Sequence, residues 1–149
     1  MQYASPRHLS RILTVQAIYY YRINQATFTE INEFLIFYDN ELFHKANLEL
    51  MNFLIQDATI NFDNNLLRYQ QYLTKEVATV DIIEQIILSI AATELLHNLT
   101  VPATVIIDEA IKLAKLYGSD ESFKFINSLV DRLAHEVRSN ELITHHATK

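Results

Sequence analysis

Glycine occurs once in this chain of 149 residues, and this scarcity limits the possible folds more than any other feature. Proline occurs only twice. Tight hairpin turns depend on glycine, and few segments of the chain alternate β-branched and polar residues as strands do. Half of the residues are hydrophobic, which is enough apolar material for a packed core. The sequence therefore predicts an all-α fold.

The length of the chain favours a single domain, which buries about two thirds of its unfolded surface. The absence of cysteine excludes disulfides and thiolate metal sites. The N-terminus lacks the apolar core of a signal peptide. The longest apolar stretch, residues 82–96, contains two glutamates and is shorter than the roughly 20 residues that span a bilayer. We therefore expect a cytoplasmic protein without a membrane segment.

Helical periodicity and capping residues predict a bundle of about six to seven helices. Ser5 can cap the first helix with Pro6 at its first position, and Thr79 can cap the fourth. The fourth helix is apolar nearly all round and is therefore expected at the centre. The predicted helices are residues 6–23, 27 or 29–38, 42–72 (which can break at 61–65), 81–98, 102–117 and 119–138.

The only glycine, Gly118, separates the last two predicted helices. It suits the left-handed position that follows a helix end, and Ser119 can cap the helix after it. The polar segment Ser139–Lys149 is expected to fray.

The first predicted helix has a core face and a basic face. At 100° per residue, Arg7, Arg11 and Arg22 lie within roughly 60° of one another, opposite the apolar positions. Such a face either binds anions or is ordinary solvated surface. The predicted core positions of this helix are Leu9, Ile12, Leu13, Gln16, Tyr20 and Ile23.

Charge is divided unevenly along the chain. The formal net charge is −6, yet residues 1–29 contain three arginines and no acidic residue, so the remainder carries −9. A negative net charge disfavours the binding of nucleic acid, because that binding depends on neutralising phosphates. A small basic end can still hold RNA locally.

Two separated blocks of sequence resemble the NusB family of bacterial transcription antitermination factors. The first is Arg7-His8-Leu9-Ser10-Arg11 followed by Val15-Gln16-Ala17-Ile18-Tyr19. The second includes Val101-Pro102, Glu109-Ala110-Ile111, Leu113-Ala114-Lys115, Tyr117-Gly118 and Lys124-Phe125-Ile126-Asn127. Together the blocks extend the resemblance over residues 7–138.

The resemblance implies a NusB-like RNA- and protein-binding domain over residues 1–138, with residues 139–149 as a polar tail. It implies binding to boxA-type leader RNA together with NusE, a small-subunit ribosomal protein. The complex would act on RNA polymerase to support transcription of ribosomal RNA, with no catalysis and no cofactor. Because the family includes monomers and dimers, the resemblance does not decide between a monomer and a homodimer.

The resemblance also assigns site residues. RNA contacts are implied for Arg7, His8 and Arg11 and for Ser122, Lys124, Phe125 and Asn127, and NusE contacts for Tyr19 and Glu84. Phe123 and Phe125 are two apart on a helix and point about 200° from each other, so both cannot face one core. One ring is therefore available for base stacking or for packing on a neighbouring helix.

Two other functions are compatible with the sequence. A NusB-like domain that binds proteins without RNA is compatible with the acidic net charge. A di-metal enzyme would use the two Glu-x-x-His pairs, Glu41 with His44 and Glu94 with His97, since residues three apart share a helix face. Chance alone gives roughly 0.4 such pairs in a chain of this composition, and both lie near predicted helix ends.

Overall fold

The computed structural model describes residues 4–141, and all regular structure in this range is helical. The all-α prediction is confirmed. The chain divides into two compact units, Met1–Ile60 and Asn61–Lys149. None of the helices within 4–141 is long and apolar enough to cross a membrane. The α-helices are α1 (Pro6–Asn24), α2 (Phe28–Tyr38), α3 (Asn40–Lys45), α4 (Leu48–Ile60), α5 (Phe62–Leu67), α6 (Ile82–His97), α7 (Ala103–Tyr117) and α8 (Ser122–Val137).

In the first unit, α1 packs against α2, α3 and α4. Ser5 caps α1 through a hydrogen bond from the His8 N–H, as predicted. Thr27 caps α2 and forms a reciprocal capping box with Glu30. Helix α1 ends at Gln25, which has a φ of 53°. Among residues 4–141, Gln25 is the only non-glycine residue with a left-handed conformation. The core of this unit contains Leu13, Ala17, Ala26, Ile31, Leu35, Met51 and Ile55.

The long helix predicted over 42–72 is divided into α3, α4 and α5. At the first break a polar side chain takes over a backbone hydrogen bond. Asn47 Oδ1 accepts from the Leu50 N–H and starts α4. The Asn47 backbone also bonds to α1, donating to the Pro6 carbonyl and accepting from Ser10 Oγ. The second break falls at Asn61, within the segment where one was predicted. The break at Asn47 was not predicted.

In the second unit, α6 contacts α5, α7 and α8, and α7 packs along α8. Every residue from Gln85 to Leu95 is buried, which confirms the prediction of a central helix. Its cap differs from the prediction, since Asp81 accepts from the Ile83 N–H. Thr79 instead ends a short 3-10 turn, Val77–Thr79. A second such turn spans Gln70–Tyr72.

The Gly118 corner was predicted for the wrong reason. Gly118 has an extended conformation with φ −87° rather than a left-handed one. A Cβ at this position would lie 2.6 Å from the Ser122 Cβ and 2.7 Å from the Ala114 carbonyl oxygen. Ser119 does not cap α8; its N–H donates to Ser122 Oγ over 3.1 Å. Glycine is therefore required here because α7 and α8 approach closely at the corner.

Arg138 and Glu141 connect the end of α6 to the start of α7. The Arg138 guanidinium is buried and donates to the carbonyl oxygens of Glu94, Leu95, Asn98 and Val101 at 2.8–3.2 Å. Glu141 accepts from Arg138 over 2.9 Å and from the Ala103 N–H over 2.6 Å. Glu141 thus caps α7, which begins after a proline that has no capping side chain. Residues 142–149 of the predicted tail lie outside the described residues.

Candidate RNA- and protein-binding surfaces

The first turn of α1 presents positive charge to solvent. Arg7 is exposed, His8 is half-buried, and the turn contains no acidic residue. The N–H groups at the start of a helix add partial positive charge, so this end attracts anions. Arg22 is also exposed, but it lies fifteen positions further along α1, which is about 22 Å at the helical rise.

Arg11 does not belong to an exposed basic face, contrary to the prediction. It is 2% exposed, and every residue from Leu9 to Val15 is buried. Seven consecutive residues cover all directions around a helix, so this half of α1 is enclosed on every side. The prediction assumed that α1 is buried on one side only. Conversely, Ile23 was predicted in the core and is 61% exposed.

The first two turns of α8 bring together Ser122, Lys124, Phe125 and Asn127. Lys124 and Asn127 are exposed, and Lys124 forms an ion pair with Glu121 over 3.2 Å. Ser122 is buried, and its hydroxyl accepts from the Ser119 N–H. Ser122 therefore stabilises the corner and does not present its side chain to a ligand.

Two half-buried rings on α8 lie beside lysines. The Lys75 Nζ is 5.7 Å from the centroid of the Phe125 ring. The Phe123 ring has the Lys115 Nζ at 5.0 Å and the Lys124 Nζ at 5.9 Å. An ammonium group at this distance from a ring centroid is attracted to the ring face. This combination of partly exposed rings and cations suits stacked bases and their phosphates.

Sequence reasoning did not identify Lys75 or Lys115 as part of this surface. Lys75 lies fifty positions before Phe125, and nothing in the local sequence around it indicates the pairing. Lys115 lies eight positions before Phe123, across the Gly118 corner. The predicted corner of one glycine between the two helices could have suggested it.

The predicted partner residues lie in different units. Tyr19, on α1, is 42% exposed. Its neighbours Tyr20 and Tyr21 stack on α2, with centroids 4.2 Å from Phe34 and 6.5 Å from Phe28 respectively. Tyr21 is half-buried, because this stacking holds it against α2. Glu84 is half-buried in the first turn of α6, where the helix N-terminus stabilises a carboxylate.

The two Glu-x-x-His pairs do not form a metal centre within residues 4–141, where no group of three or more His, Asp or Glu side chains is placed to hold an ion. Glu41 forms an ion pair with Lys45 over 2.9 Å, which holds the pKa of the Glu41 carboxyl below its usual value. Glu94 is buried, whereas His97 is exposed.

A protein-family model described as the NusB family matches residues 8–135. The chain belongs to the NusB family. The resemblance seen in the two sequence blocks is thereby confirmed, and the family is one of transcription antitermination factors.

Relatives and a solved structure agree with this assignment. The chain is 35% identical to the transcription antitermination protein NusB of Methylobacillus flagellatus, over 91% of this chain and 86% of that protein. It is 33% identical to the protein of the same name from Nitrosomonas eutropha, over 94% and 83% respectively. The structure of T. maritima NusB matches with a TM-score of 0.73 at 27% identity, covering 89% of this chain and 93% of that one.

Proposed function

We propose that this NusB-family protein binds boxA-type leader RNA together with NusE and supports transcription of ribosomal RNA in an antitermination complex on RNA polymerase. It would do so in the cytoplasm and without a catalytic role. The observation that carries the RNA part is the Phe125 ring, half-buried at the start of α8 with the Lys75 ammonium 5.7 Å from its centroid. Lys124 is exposed one residue away.

The first unit contributes a smaller RNA-binding surface in this proposal. Arg7 would contact phosphate from the start of α1, with His8 beside it and the helix N-terminus adding to the positive potential. Arg11 and Ser122 are buried and are left out of the contacts. Asn127 is exposed one turn beyond Lys124 and would reach a base edge or a sugar.

NusE would contact Tyr19 and Glu84. A ribosomal protein is typically basic, and the acidic remainder of this chain is its electrostatic complement. Because the exposed cations are few, we expect weak RNA binding by the isolated protein and a gain of at least about tenfold when NusE is present. Linkage requires RNA to raise the affinity for NusE by the same factor.

A second candidate function is a NusB-like protein-interaction domain that does not bind RNA. The burial of Arg11 favours it, because the basic face of α1 is smaller than the sequence predicted. Titration of boxA-type RNA with and without NusE separates the two candidates. Saturable RNA binding that strengthens with NusE supports our proposal, whereas NusE binding without any RNA affinity supports the second candidate.

Substitutions locate the two surfaces in the same titrations. Phe125→Ala should weaken RNA binding by about 1–3 kcal/mol, the usual contribution of a stacked base. Phe37→Ala removes an exposed ring in an acidic region and serves as the matched control with unchanged RNA affinity. If Phe125→Ala instead lowers the melting temperature sharply while RNA binding stays normal, the ring has a structural role.

The partner contact is tested by charge reversal. Glu84→Lys should weaken NusE binding and leave RNA binding by the isolated protein intact. Glu76→Lys reverses an exposed carboxylate elsewhere in the second unit and is the control. Calorimetric titration of NusE into both variants makes the comparison. Equal NusE affinities for the wild type and for Glu84→Lys would remove Glu84 from the interface.

A further inference from the structure

The outer face of α2 carries large apolar side chains in solvent. Phe37 is 94% exposed, and Ile36 beside it is 44% exposed. Tyr38 and Phe28 are 64% and 40% exposed, but they lie on the inner side of α2, where they take part in aromatic stacking. Single exposed apolar residues are common on protein surfaces, whereas a ring that is almost fully in solvent beside a second apolar side chain is typical of a contact site.

This face is held on an ordered helix. The capping box of Thr27 and Glu30 fixes the start of α2. Aromatic stacking fixes its inner side, with centroids 4.2 Å apart for Tyr20 and Phe34 and 5.3 Å apart for Phe34 and Tyr38. The Phe37 ring is thus presented from a rigid support, which lowers the entropic cost of binding a partner.

The same region is strongly acidic. Residues 23–44 contain four acidic residues and no lysine or arginine. Glu33 lies one turn before Phe37 on the same side of α2, and Glu33 makes no ion pair within residues 4–141. The exposed Phe37 ring therefore lies beside the Glu33 carboxylate, which has no cationic partner among residues 4–141.

We propose that this face of α2 is a docking surface for a basic protein segment that carries an apolar anchor residue. The anchor would pack on Phe37 and Ile36, while a lysine or arginine of the partner would pair with Glu33 or lie over the Phe37 ring. RNA is disfavoured by the carboxylates, and so is a second copy of this chain, because self-association would bring two acidic faces together. This inference does not rest on the proposed RNA and NusE contacts.

Selection from a random peptide library tests the chemistry of the partner. The full protein is the target, and the double variant Phe37→Ser, Glu33→Lys is used for counter-selection. We expect the enriched peptides to be positively charged and to contain an aromatic or aliphatic residue. An enriched synthetic peptide is then titrated by fluorescence anisotropy against each single variant, with at least about tenfold weaker binding expected for both.

Matched controls lie in the second unit. Leu99→Ser replaces a side chain that is 70% exposed, and Glu76→Lys reverses an exposed carboxylate; both should leave the peptide affinity unchanged. Circular dichroism checks that all variants fold. The proposal is overturned if no peptide is enriched, or if enriched peptides are neutral or acidic. It is also overturned if sedimentation shows a self-association that Phe37→Ser abolishes, or if RNA competes for this face.

Discussion

At the level of single residues, several polar side chains satisfy backbone groups at helix ends. Arg138 is 8% exposed and donates to four carbonyl oxygens around the C-terminus of α6. The Glu94 and Asn98 carbonyls also accept backbone N–H groups, from Asn98 and Val101, so the Leu95 and Val101 carbonyls depend most on Arg138. A buried acceptor left unsatisfied costs about 1–3 kcal/mol, so one arginine has a large effect on the second unit.

Arg138→Met tests this role. Methionine keeps much of the side-chain volume but removes every donor, so we expect the free energy of unfolding to fall by about 3 kcal/mol. Arg132→Met alters an exposed arginine on the same helix and should change it by about 0.5 kcal/mol or less. Urea denaturation of both variants makes the measurement. A loss of the same size in both would show that the carbonyl contacts of Arg138 add little.

At the level of elements, the bounds of α1, α6 and α8 follow their predictions closely, whereas the burial of α1 does not. The last predicted helix and α8 agree to within a few residues, whereas the first half of α1 is buried on all sides. Helix starts also divide into two kinds. Ser5 and Thr27 cap from within their own segment, but α7 is capped by Glu141 from beyond the end of α8.

The Glu141 cap predicts a dependence of stability on pH. The hydrogen bond from the Ala103 N–H, with Arg138 adding to it, holds the pKa of the Glu141 carboxyl below its ordinary value of 4.5. Because the folded pKa is depressed, the stabilising effect is present above pH 4.5 and is lost as the pH falls through the folded pKa. Glu141→Gln should therefore melt at a lower temperature than the wild type at pH 7, with the difference disappearing in acid.

Asn140→Gln is the control for this measurement, since it alters an exposed neighbour without changing charge. Melting temperatures recorded across the acidic range for the three proteins give the comparison. A constant difference between the wild type and Glu141→Gln at every pH would contradict the assignment of the carboxylate as the cap.

At the level of the whole molecule, the net charge is negative, and the proposed RNA surfaces use a small number of cations. The net charge is −6, and the proposed RNA surfaces depend on Arg7 in the first unit and on Lys75, Lys115 and Lys124 in the second. Each phosphate contact on a single strand contributes about 0.7 to the slope of log affinity against log salt. The measured slope therefore indicates how many cations contact phosphates.

We expect Arg7→Ala and Lys75→Ala each to reduce this slope by about 0.7, because each removes one phosphate contact. Lys45→Ala is the control, since Lys45 is already paired with Glu41 in the acidic part of the first unit. RNA titrations at several salt concentrations measure all three variants. A slope that does not change in Lys75→Ala would exclude Lys75 from phosphate binding even if Phe125 stacks on a base.

The sequence by itself determined the helical class, the family and most helix boundaries, because glycine scarcity, periodicity and capping act over a few neighbouring residues. It also placed Lys124 and Phe125 near the start of the last helix, where the structure has them. Only the tertiary structure decided which polar residues are buried and which distant residues meet. Arg11 is enclosed, Lys75 lies beside Phe125, and Gly118 is required by a close approach and not by its own φ. These outcomes depend on packing between segments far apart in the chain, which no local pattern encodes.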